Sequence, residues 1–127
     1  MKKLFLISAF LVVSTFALFG FAQVQVDRKI KEKDLIGYWT PDIESSQLFF
    51  WKDKHGDMQV QEIADGDGIA LEILDFKINK TDVFIKTFFK NNNWTAESTY
   101  KLIDDNTLQC TGINNEGNFT IIYTKVK

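Results

Sequence analysis

After residue 40 the chain is punctuated by turn-forming clusters at a nearly constant interval. They are Asp53-Lys54-His55-Gly56-Asp57, Asp65-Gly66-Asp67-Gly68, Asn79-Lys80-Thr81, Asn91-Asn92-Asn93, Asp104-Asp105-Asn106 and Asn114-Asn115-Glu116-Gly117. About ten to thirteen residues separate one cluster from the next. The runs between them are rich in Val, Ile, Thr, Phe, Tyr and Trp, and no helix of useful length fits the gaps. That rhythm predicts an all-β antiparallel meander of short strands joined by hairpins. Eight strands are expected, over 35–40, 46–52, 57–63, 69–78, 82–90, 94–103, 107–113 and 118–126. Sequential hairpins around one core can close into an up-and-down barrel, which removes both sheet edges; an open sandwich is the alternative.

Side-chain alternation assigns the faces. In the sixth strand Trp94, Ala96, Ser98, Tyr100 and Leu102 share one face, and Thr95, Glu97, Thr99 and Lys101 share the other. One side is therefore buried and the other wet. The fifth strand sets Val83, Ile85, Thr87 and Phe89 against Phe84, Lys86, Phe88 and Lys90. The fourth changes phase, from Ile69, Leu71 and Ile73 to Leu74, Phe76 and Ile78, as a β-bulge would require. Leu48-Phe49-Phe50-Trp51, Phe88-Phe89 and Ile121-Ile122 are apolar on both faces. Either Phe49 with Trp51 or Leu48 with Phe50 must then point outward. Phe49, Trp51 and Phe88 are accordingly candidates for a homodimer or protein-partner surface, unless the segment before the first strand covers them.

The first 22 residues read as a signal peptide. Lys2 and Lys3 precede an apolar run from Leu4 to Val13, and Gly20-Phe21-Ala22 supplies the small residues that signal peptidase requires, so cleavage is expected after Ala22. The alternative is an uncleaved anchor over Leu4 to Ala22, a span weakened by Ser8, Ser14 and Thr15. The domain organisation expected is a signal peptide at 1–22, a charged lead-in at 23–34, and one β domain at 35–127; the lead-in reads either as a flexible segment or as a turn of helix over one end of the core from about Asp27 to Leu35. Export to the periplasm or the medium follows, with no membrane association once cleaved. Without Lys2 and Lys3 the 15 basic residues fall to 13 against 17 acidic ones, a net charge of −4. A dispersed acidic balance excludes a phosphate-backbone partner such as a nucleic acid. Cys110 is the only cysteine, so packing alone holds the fold, and the thiol reads as a small buried hydrophobe.

Gly37-Tyr38-Trp39 opens the first strand. Glycine lets the backbone start close to a neighbour, and an indole can cover a barrel floor while its N–H finds an acceptor. This Gly-x-Trp after a short helical turn resembles the lipocalin signature. Leu48-Phe49-Phe50-Trp51-Lys52-Asp53-Lys54-His55-Gly56 looks like the second strand and turn of the short lipocalin-like proteins exported by many bacteria. The resemblance implies a small closed barrel, and it implies that a basic side chain on the last strand packs across the tryptophan. Lys125 is the residue in that position. In a barrel of this strand number the interior is either filled by side chains or large enough for one small ligand.

Signs of catalysis are absent. His55 is the only histidine and sits in a hairpin turn. Without a second histidine or a cysteine pair, a transition-metal site lacks its usual ligands, and no Gly-x-Ser-x-Gly turn presents a nucleophile. Asp65-Gly66-Asp67-Gly68 departs from calcium-loop spacing at Ile69 and reads as a hairpin turn. Three Asn-x-Thr triplets, at Asn79, Asn93 and Asn118, read as ordinary turn and strand-edge residues. No cofactor and no metal is expected. Thr87, Phe89, Trp94, Ser98, Tyr100 and Cys110 are the expected liners of an internal site, an apolar surface with a few hydroxyls. Two functions stay open at this level. One is a non-catalytic binding protein for a small, mostly apolar ligand; the other is a solid barrel acting as an interaction or inhibitor module through its exposed aromatics.

Overall fold

The computed structural model describes residues 28–64 and 68–127. The expected signal peptide, the first part of the lead-in, and Asp65, Gly66 and Asp67 lie outside the described residues. Among the described residues, eight strands follow one short helix: α1 (Glu32–Leu35), β1 (Gly37–Pro41), β2 (Gln47–Lys52), β3 (Met58–Ile63), β4 (Glu72–Ile78), β5 (Val83–Phe89), β6 (Trp94–Asp104), β7 (Thr107–Asn114) and β8 (Gly117–Lys125). Of the turn of helix expected from about 27 to 35, the described residues show Glu32–Leu35 as helix. β1 extends through Pro41, one position beyond the expected end at residue 40.

All eight strands form one antiparallel sheet in the order β3-β2-β1-β8-β7-β6-β5-β4. Every neighbour is a sequence neighbour except β1 and β8, which pair with Trp39 opposite Lys125. The sheet is a nearly closed barrel. Its remaining seam, between β3 and β4, is stitched where the two strands connect: Leu71 N–H donates to the Glu62 carbonyl and Ala64 N–H to the Ile69 carbonyl, both at 2.8 Å. At the opposite end of the seam Ile30 N–H donates to the Lys80 carbonyl at 2.9 Å, which brings the lead-in across the gap.

The turns follow the chemistry of their side chains. Asp53 Oδ1 accepts from His55 N–H at 2.8 Å and Asp57 N–H at 3.0 Å, while Asp104 and Asn114 each accept from the backbone two residues on. Such local bonds offer the backbone an alternative to the ladder, so the strands stop there. The phase change in β4 is a bulge between Ile73 and Asp75. It expels Leu74, which is exposed, and keeps Ile73, Phe76 and Ile78 on the core side, so the expected grouping of Leu74 with Phe76 and Ile78 is corrected. β4 also begins later than the sequence predicted, and Ile69 is exposed before it.

Three connections and the lead-in lie at one end of the barrel, and four connections lie at the other. At one end α1 caps a packed core that includes Leu35, Trp39, Phe50, Val83, Leu102 and Leu108. We call this end the floor. At the other end residues 42–46, 64, 68–71, 90–93 and 115–116 surround an opening, the mouth.

Candidate functional site

Side-chain size along the strands creates a cavity in the mouth half of the barrel. On β6 the inward residues shrink from Leu102 and Tyr100 toward the floor to Ser98 and Ala96 toward the mouth. Their ladder partners shrink with them: Ser98 pairs with Gly112, and Ala96 lies between Thr87 and Asn114. Three neighbouring strands thus give up volume at the same level. The result is a cavity of about 750 Å³, open between the mouth loops. Thr87, Phe89, Trp94, Ser98, Tyr100 and Cys110, the six residues singled out from the sequence, all line it.

Gly112 is what lets Phe119 join that wall. A methyl group at residue 112 would sit 2.4 Å from the Glu97 carbonyl oxygen and 2.6 Å from Phe119 Cζ. The Phe119 ring therefore lies directly over the glycine it pairs with on the ladder. The loops above are stitched together by Asn115, whose Oδ1 accepts from Thr95 N–H and Oγ1 and whose Nδ2 donates to the Asn93 carbonyl.

Burial disfavours the charged forms of the Cys110 thiol and of the Tyr100 and Tyr123 phenols at the base of the cavity. Burial pushes the Cys110 thiol up to about 12, although hydrogen bonds from Tyr100 and Ser98 oppose the shift. Tyr100 and Tyr123 are raised for the same reason, and their rings meet at 5.8 Å. A thiol so placed is protonated and unreactive at neutral pH.

Sequence reasoning missed Glu62. It stands on β3 with only 7% of its surface exposed, and it lines the cavity. Ser46 Oγ donates to Glu62 Oε2, while Oε1 has no hydrogen-bond partner among the described residues. Ser46 is itself held in place, because Tyr123 Oη donates to its carbonyl at 2.9 Å. Desolvation raises the Glu62 carboxyl above its ordinary value, and the Ser46 bond only partly offsets this. The signal was present in the alternation of β3, where Glu62 is in phase with Met58 and Val60. A carboxylate at a core position is read as surface unless the faces of the strand are assigned first.

At the floor, Trp39 is fully buried and its Nε1–H donates to the Leu35 carbonyl at 2.8 Å. Lys125 Nζ lies 5.2 Å from the Trp39 ring centroid and donates to the Asp34 carbonyl at 2.9 Å. Gly37, at φ +131°, places its backbone where a Cβ would stand 3.5 Å from Lys125 Cε. These three residues lie at the opposite end from the cavity and do not line it.

On the outer surface, Phe49 and Trp51 are the pair that points outward, while Leu48 and Phe50 are buried. The outward pair is half-buried. Tyr38 stacks on Phe49 at 4.3 Å and Phe49 on Trp51 at 5.1 Å, so the rings shield one another. Phe88 faces outward on β5, apart from this stack and opposite Glu72 and Thr95. His55 is exposed in the β2–β3 turn at the floor, and among the described residues no group of His, Cys, Asp and Glu is placed to hold a metal ion.

No protein-family model and no curated protein matches this chain. Among solved structures the chain is similar to a redesigned β-barrel, with a TM-score of 0.55 and 13% sequence identity. The match covers 76% of this chain and 94% of the designed one. At that identity the likeness concerns the fold alone, and the architecture common to both is the β-barrel.

Proposed function

We propose that this protein is an exported, lipocalin-like binding protein that holds one small, mostly apolar ligand in the mouth half of its barrel. The observation that carries this reading is the cavity of about 750 Å³, which falls within the range of small-molecule sites. Its apolar walls, including Phe89, Trp94 and Phe119, surround a few polar groups at the base, the composition such sites use to bind and orient a ligand. The Gly37–Trp39–Lys125 arrangement at the floor supports the lipocalin-like assignment. The charged start, apolar run and Gly20-Phe21-Ala22 ending support export from a bacterial cell. We read the protein as non-catalytic, because the one thiol in the cavity is held protonated and the one histidine lies at the other end of the barrel.

The test is a titration with Nile red, a neutral hydrophobic fluorophore, beside a thermal melt. The wild type is expected to bind one probe per chain, and Ser98→Phe to abolish binding while melting near the wild-type temperature. A wild type that binds no probe, with a destabilised Ser98→Phe variant, would overturn the reading. A second reading rests on the stack of Tyr38, Phe49 and Trp51 on the outer face, which suits a protein partner or a second copy of the chain. Native mass spectrometry of protein from its own host separates the two, since it records a retained ligand and a dimer in one measurement.

A further inference from the structure

We propose that the cavity selects ligands whose apolar body carries a cationic, hydrogen-bond-donating head, that is, hydrophobic amines, and that Glu62 is the residue that receives the head. The inference rests on the pocket reading above and deepens it. Three observations converge on it.

The first is the charge inventory of the wall. Glu44, Glu62 and Glu116 line the cavity, and no Lys, Arg or His does among the described residues. A ligand carboxylate would enter a site with only like charges and no counter-ion, whereas an ammonium meets three carboxylates. The second is the state of Glu62 itself. It is more than nine-tenths buried, one oxygen is occupied by Ser46, and the other is free of partners among the described residues. A buried acceptor without a donor is costly, and a ligand N–H placed there removes that cost on binding. Folding has already desolvated the carboxylate, so the ligand contributes only the desolvation of its own head. The third is that neighbouring groups do not compete for the site. Tyr123 Oη is engaged by the Ser46 carbonyl, and Tyr100 and Ser98 by the Cys110 thiol.

The aromatic walls are compatible with the same head group on its way in. Trp94, Phe89 and Phe119 line the cavity, and aromatic faces attract cations where water is excluded. The apolar body of the ligand then occupies the space left by Ala96, Ser98 and Gly112.

The experiment compares three probes of one chain length, n-octylamine, n-octanol and octanoate, by titration calorimetry at neutral pH with the full exported chain and its Glu62→Gln variant. Octylamine is expected to bind the wild type at least about tenfold more tightly than octanoate, with octanol between them. In Glu62→Gln the amine advantage over octanol is expected to vanish. Equal affinities for amine and acid in the wild type, or tighter binding of octanoate, would overturn the inference and leave the pocket reading standing. An amine preference that survives in a folded Glu62→Gln variant would also overturn it, because attraction to the acidic surface as a whole would then explain the selectivity. Failure of all three probes to bind would remove the pocket reading and this inference together. The wild-type ranking decides the matter even if the variant does not fold.

Discussion

The two halves of this barrel are built on the same eight strands and differ in what their inward positions carry. Toward the floor the inward residues are Trp39, Phe50, Val83, Leu102 and Leu108, all buried, and the lead-in and α1 close the end over them. Toward the mouth they are Thr87, Ala96, Ser98 and Gly112, and a cavity of about 750 Å³ takes the place of the missing side chains. The polar groups differ in the same way. At the floor the indole N–H and the Lys125 ammonium both end on backbone carbonyls. At the mouth a buried carboxylate oxygen has no partner among the described residues. The contrast teaches that one end is organised for stability and that the other tolerates an incomplete core.

This division is open to four measurements, taken from the largest expected effect to the smallest. Trp39→Ala removes the largest floor side chain and its hydrogen bond, and is expected to destabilise by about 3–5 kcal/mol, as large core truncations do. Thr95→Ala at the mouth removes one exposed hydroxyl contact to Asn115 and is expected to cost under about 1 kcal/mol. Equal denaturation midpoints for the two variants would erase the distinction between the ends.

Gly112→Ala tests the one place where the mouth is tightly packed. The added methyl meets the Glu97 carbonyl oxygen, which is backbone and cannot swing aside, so a cost of about 1–3 kcal/mol is expected in a chemical melt. Wild-type stability in this variant would mean that Phe119 does not lie over residue 112.

Glu62→Gln should move stability the other way. Burial holds the Glu62 carboxyl above its ordinary value of 4.5, so the folded protein binds that proton more tightly than the unfolded chain does. The favourable contribution is complete below the unfolded value and is lost as pH rises through the folded one. At neutral pH the variant is therefore expected to be more stable by about 1–2 kcal/mol, the scale of an under-partnered buried polar group. The gap should close as pH falls below about 4.5. Tyr100, Tyr123 and Cys110 face the same space and are all raised by burial, so they stay neutral across this window. Glu44 and Glu116 at the mouth are common to both proteins. A variant less stable than wild type at neutral pH, or a pH-independent gap, would show that Glu62 is well solvated.

Ser98→Phe is expected to change stability least, by under about 1 kcal/mol, because its ring enters a space already present. A loss on the order of 1–3 kcal/mol would signal overpacking and a filled mouth.

The fold was legible in the sequence to the degree that it depends on local chemistry. Asp53, Asp104 and Asn114 turn the chain with their own side chains, and the structure puts hairpins at each of them. The alternation of β6 is strong enough to be read from one strand, and it led to Ser98 and Tyr100 on the cavity wall. In β2 every position from Leu48 to Trp51 is apolar, so alternation could not choose a face. Pairing did: Leu48 is held against Trp39, and Phe49 is left to stack on Tyr38. The β4 bulge was foreseeable as a change of phase, but which residue it expels depends on the ladder with β5.

By itself, then, the sequence determined the strand number, the antiparallel hairpin order, and the inward set of the strands whose polar and apolar residues alternate. These follow from backbone periodicity and turn chemistry, which act over a few residues. Tertiary structure alone decided that the mouth is hollow and that Glu62 is buried beside it. A cavity exists only where small side chains from several strands meet at one level, and that level is set by register. Whether a carboxylate is buried or wet depends on the sheet closing around it, since the same Glu on an open strand would simply be solvated.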